Sequence, residues 1–156
     1  MEISMLNRLK SLLSSGPARE PEKERERVQV ATAALLLEMA HTDEEFHDME
    51  GLLIRDLLQS KFELPAESAA ELMQYAQQAR ESTLDLFGFA QEINGSFTRE
   101  EKFEVMEGIW RVIYADGVLD KYEDYLVRKM ATLLRLSHRE MIDIKVKVLD
   151  EIRPHR

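Results

Sequence analysis

The chain has 156 residues, 30 Asp and Glu against 21 Lys and Arg for a net charge of −9, and no Cys. That length suits one domain with short extensions, and the acidity excludes a duplex nucleic-acid binder that depends on a cationic face. Without Cys there is no disulfide framework, no thiolate nucleophile and no Cys-based zinc or iron–sulfur site. No stretch approaches the ~20 continuous apolar residues of a membrane span.

Taken in chain order, MEISMLNRLKSLL places Ile3, Met5, Leu6, Leu9, Leu12 and Leu13 near helical spacing, with Arg8 and Lys10 between them. This predicts a short amphipathic helix, suited to weak contact with a membrane surface or a partner, or to packing back on the domain. It lacks the small-residue cleavage signature of an export signal. Ser14, Ser15, Gly16 and Pro17 break it, and AREPEKERER follows with charges of both signs. Residues 1–25 therefore read as an arm and linker, 26–152 as the domain and 153–156 as a tail. Residues 1–27 carry six basic and five acidic side chains, +1 in all, which leaves −10 for the rest.

From Val28 onward the apolar spacing is helical, with no sustained alternation and no hairpin turn pairs, so the fold class is all-α. Helices are predicted at about 21–41, 46–61, 65–80, 84–94, 98–115, 120–135 and 137–152, with ends uncertain by ~2–4 residues. Capping boxes mark three starts: Thr98 with Glu101, Asp120 with Glu123, and Ser137 with Glu140. Pro65 stands where a first-turn proline is tolerated. The helix holding Phe103, Met106, Ile109, Trp110, Val112 and Ile113 is apolar on more than one face, which predicts a central position, with Trp110 as a core anchor. The eight Met residues read as core filler.

The chain also repeats. At an offset of 73, AHTDEEFHDMEGLLIRDL aligns with IYADGVLDKYEDYLVRKM, setting Asp43 on Asp116, His47 on Asp120, Glu50 on Glu123 and Arg55 on Arg128. Apolar positions agree in phase, as a duplicated helical hairpin requires. In the second copy Gly117 can end one helix in the left-handed conformation and Asp120 can cap the next. Asp116, Asp120 and Glu123 then converge on one tight turn, where they either bind a cation or are held apart by backbone N–H groups. Capping alone accounts for Gly117, Asp120 and Glu123 and leaves Asp116 over. The spacing is not that of an EF-hand loop. In the first copy Glu44 replaces the glycine and His47 the second Asp. His47 and Glu50, three apart, can meet on one helical face, a donor set suited to zinc, manganese or nickel rather than calcium. Thr42 with Glu45 can equally be a plain capping box.

MAHTDEEFHDME, YADGVLDKYEDYLVRKMA and the final helix start LSHREMID together resemble the TerB (tellurite resistance protein B) family, over about residues 26–150. The resemblance implies a compact bundle of about seven helices with pseudo-two-fold symmetry, acids that bind divalent cations, and a role in bacterial stress response. It also implies kinship with a domain found in a membrane-anchored DnaJ-type co-chaperone. By position, Asp116, Asp120 and Glu123 match the second family motif, and Asp43 and Glu50 match the first, where Glu44 and His47 depart from Gly and Asp.

The resulting expectation is a non-catalytic, cytoplasmic protein, peripheral to the inner membrane at most. It would bind Ca²⁺, Mg²⁺, Mn²⁺ or Zn²⁺ through Asp116, Asp120, Glu123, Asp43, His47 and Glu50, use no organic cofactor, and work with protein partners rather than nucleic acid. A metal-free interaction adaptor is the alternative. No nucleophile–base pair, phosphate-binding glycine loop or HExxH string supports an enzyme.

Overall fold

A run that is apolar on every side of a helix has to be enclosed by other elements, and VQVATAALLLEMA is such a run. In the computed structural model, which describes residues 21–40, 48–82, 85–115 and 119–152, it forms the second half of α1, Pro21–Ala40. Every residue from Val28 to Ala40 is buried. Around it stand α2 (Asp48–Phe62), α3 (Ala66–Ser82), α4 (Leu86–Ser96), α5 (Arg99–Ile113) and α6 (Lys121–Leu133), all of which touch it. The last helix, α7 (His138–Ile152), packs on α5 and α6 instead. The described residues contain seven helices and no strand, the all-α bundle the sequence predicts.

The expectation that the helix of Trp110 is the central one needs amending. That helix, α5, is well buried, but α1 is the element enclosed by five others. Its charged first two turns dilute the apolar signal of the whole helix, and the signal resides in the uninterrupted stretch after Arg27. Trp110 is a core anchor as expected: its ring is buried, its Nε1–H donates to the Met141 carbonyl at 3.1 Å, and it stacks on Tyr114. Met39, Met106, Met130 and Met141 are buried in the same core.

Helix ends follow the local chemistry. All three predicted capping boxes close reciprocally, Thr98 with Glu101, Asp120 with Glu123, and Ser137 with Glu140. The Pro65 carbonyl accepts from the Ala69 N–H, so the proline precedes the first turn of α3 rather than lying within it. Two C-termini use a device without glycine. After α2, Glu63 has φ 53° and the Leu64 N–H reaches back to the Gln59 carbonyl at 3.1 Å. After α6, Arg135 has φ 62° and the Leu136 N–H reaches the Ala131 carbonyl at 2.9 Å. Both are left-handed helix stops whose six-to-one bond satisfies an orphan carbonyl.

Buried polar links fix how the helices meet. Arg80 of α3 donates to Glu38 of α1 at 2.6 Å, with both side chains largely enclosed. Lys102 of α5 is buried and donates to the Leu134 carbonyl at 2.9 Å and to Asn94 Oδ1 at 3.2 Å, while Asn94 donates to the Leu133 carbonyl at 2.9 Å. The end of α6 is thus held by side chains from α4 and α5. Burial, and then the nearby Arg99 and Arg135, lower the Lys102 pKa. Lys61 of α2 pairs with Glu104 of α5 at 2.7 Å and lies over the Phe97 ring.

Candidate metal centre at the interhelical loops

Both acidic stretches follow an enclosed helix, α1 or α5, and each leads into a helix whose third residue is a buried glutamate. Glu50 is 7% exposed as the third residue of α2, and Glu123 is 5% exposed as the third residue of α6. One turn further on, the pair Ile54 and Val127 is fully buried, and the pair Leu58 and Ala131 lies in the same core. Such depth is unusual for carboxylates, which enter a protein interior when hydrogen-bonded, ion-paired or coordinated.

At the start of α6 the geometry is that of a closed cap. Asp120 Oδ1 accepts from the Glu123 N–H at 2.7 Å, and Glu123 Oε1 accepts from the Asp120 N–H at 3.1 Å. The box uses one oxygen of each carboxylate. A cation there would have to share both side chains with the helix cap.

Of the six residues expected to hold a cation, Glu50, Asp120 and Glu123 lie within the described structure. Asp43, His47 and Asp116 lie outside the described residues, as do Thr42, Glu44, Glu45 and Gly117. Among the described residues no three His, Asp or Glu side chains form a group able to hold a metal ion. Carboxylate oxygens are the donor type a hard cation takes, and Glu50 and Glu123 are carried on helices anchored in the core.

A concavity of about 270 Å³ opens between α1, α2 and α5, lined by Leu36, Leu57 and Val105 among others. Gly108 lies in this lining, where a Cβ would come within 3.4 Å of Leu36 and 3.6 Å of Leu57. Glu107 at its edge accepts from Lys147 and Arg111. Burial works to raise the Glu107 pKa, but these two cations outweigh it and hold the carboxyl below its ordinary value.

Lys102 and Asn94, which close the end of α6, are absent from the sequence reading. Periodicity gave no signal for them, since a Lys and an Asn on helix surfaces read as solvent-facing. Glu63 and Arg135 were equally invisible, because a left-handed helix stop is normally announced by glycine.

Among the described residues, seven helices and no strand define the class, a small all-α helical-bundle domain. The chain belongs to the TerB family: the family model described as tellurite resistance protein TerB matches residues 29–146. Comparison with curated proteins and with solved structures gives no match. Among the described residues no helix is long and apolar enough to cross a membrane.

Proposed function

We propose that this chain is a non-catalytic scaffold that binds a divalent cation at its interhelical loops and serves a bacterial stress response, tellurite or other. The observation that carries the reading is the matched placement of Glu50 and Glu123, buried third residues of α2 and α6 at the 73-residue offset. The two left-handed stops at Glu63 and Arg135 fall at corresponding places after those helices and add support for an internal two-fold repeat. Asp116, Asp120 and Glu123 would hold the cation in the second half, and Asp43, His47 and Glu50 in the first. Bound there, the ion would fix the angle between the helices flanking each loop.

Calorimetric titration of the chelator-treated full chain with Ca²⁺, Mg²⁺, Mn²⁺ and Zn²⁺ tests this. Binding tighter than ~1 mM, with a metal-dependent rise in Tm that Asp116→Asn abolishes, is expected. No ion binding tighter than ~1 mM refutes it.

The closed Asp120–Glu123 box favours a second reading, a metal-free interaction adaptor that is cytoplasmic or peripheral to a membrane, with co-chaperone kinship. In that case Asp116→Asn changes stability by less than ~1 kcal/mol with or without metal.

A further inference from the structure

The exposed face of α6 is out of keeping with the charge of the chain. Its residues fall into two arcs. Glu123, Leu126, Val127, Met130 and Ala131 are buried, while Lys121, Tyr122, Tyr125, Arg128, Lys129 and Thr132 face solvent. Tyr122 and Tyr125 are 50% and 59% exposed, three residues apart and therefore neighbours on one face. Lys129 follows Tyr125 by four residues and extends the same stripe. Arg135, also exposed, continues the positive charge past the end of the helix, while the exposed Arg139 lies 4.0 Å from Asp143. In a chain of net charge −9 this is a local cationic region.

Its charges are incompletely answered from within. Asp124 accepts from Arg128 at 3.0 Å, and Arg128 also approaches the His138 ring at 3.4 Å. Lys121 and Lys129 make no ion pair among the described residues. Between Tyr125, Lys129 and Leu133 lies a shallow depression of about 360 Å³. The face combines two exposed phenol rings, aliphatic side-chain stems and exposed ammonium groups around a hollow. Tyr and Arg are the residue types that supply most energy at protein interfaces, with a polar and charged rim around them.

We propose that this face of α6 docks an acidic peptide segment of a partner protein, its carboxylates set on Lys121, Arg128 and Lys129 and an apolar side chain in the hollow beside Tyr125. A peptide fits better than a polyanionic surface. A lipid bilayer or a nucleic acid would meet much of the molecule, whose remaining surface is strongly acidic, whereas a short segment meets only this face and lies within a Debye length of its cations. The proposal deepens the adaptor reading by naming the partner's chemistry. It is independent of the cation reading, because none of its residues is a candidate ligand.

The test is selection of a displayed random-peptide library on the full chain, followed by fluorescence polarisation of the best peptide. Acid-rich peptides are expected. Their affinity should fall at least ~10-fold in Lys129→Glu and in Tyr125→Ser, both surface changes whose melting curves confirm an intact fold. Binding should weaken between ~50 and ~200 mM salt and be indifferent to chelator, which separates it from any failure of the cation reading. An enriched pool with no excess of Asp and Glu overturns the proposal, as does peptide binding unchanged in both variants. Two further results overturn it. One is co-sedimentation with phosphatidylserine vesicles that Lys129→Glu and Tyr125→Ser abolish, with no acid-rich peptide selected. The other is a chain dimer that the two substitutions abolish.

Discussion

Tyr75 offers the sharpest test of how the core is balanced. It lies on α3, 2% exposed, and its hydroxyl finds no hydrogen-bond partner among the described residues. A buried hydroxyl without a partner costs on the order of 1–3 kcal/mol by mutational comparison. Tyr75→Phe keeps the ring and removes that cost, so the variant should be more stable by about 1–2 kcal/mol at pH 7. For a chain of this length each kcal/mol raises Tm by ~2–4 °C. Urea unfolding should show the gain as a higher midpoint with an unchanged slope.

The same residue sets an alkaline limit. Burial pushes the Tyr75 phenol from its ordinary value of 10.0 up to about 12. Between these two values the unfolded chain gives up the proton and the folded chain keeps it. Stability therefore falls as pH rises through that window, on the order of 1 kcal/mol per pH unit. Unfolding curves taken from pH 9 to 12 should converge less steeply for the Phe variant than for the parent. Should Tyr75→Phe instead lower stability by more than ~0.5 kcal/mol, the hydroxyl is satisfied in solution and the reasoning fails.

Three other expectations follow from the helix ends and the buried charges. Glu63→Gly and Arg135→Gly should each stabilise by up to ~1 kcal/mol, since glycine accepts the left-handed conformation both residues now strain to hold; chemical denaturation of the single and double variants checks this. Lys102→Met should destabilise by about 2 kcal/mol, because it leaves the Leu134 carbonyl and Asn94 Oδ1 without their donor, and amide exchange should quicken first at the end of α6. Glu107, held below the ordinary carboxylate value, contributes stability present above pH 4.5 and lost as pH falls through its folded pKa; Glu107→Gln should flatten the acid unfolding profile in that range.

The helices were legible because seven amphipathic or apolar runs are each bounded by a cap or a break, and the Thr98, Asp120 and Ser137 boxes are written in two residue types at fixed spacing. The enclosure of α1 was harder to read. Its PEKERER start looks like surface, and only the neighbours' apolar faces, which no local window contains, decide that Gln29, Thr32 and Glu38 go inside. The candidate site divides in the same way. Asp120 and Glu123 were readable as a cap, and the structure closes that cap. The burial of Glu50 depends on how α2 meets α1 and α3, a long-range fact that an acid-rich string conceals.

The position of α1 in chain order has a consequence for biosynthesis. The helix that α2 to α6 surround is made ahead of them, and its apolar stretch leaves the ribosome before those five helices exist. The last of α5 follows Ala40 by 73 residues, which at ~5–20 residues per second is roughly 4–15 s before α5 can close over it. During that interval Val28 to Ala40 are covered in stages, by α2, α3 and α4 in turn and last by α5 and α6. A chaperone holding the polypeptide over that interval would act on α1, and a chain interrupted before α5 would leave one side of its apolar stretch uncovered.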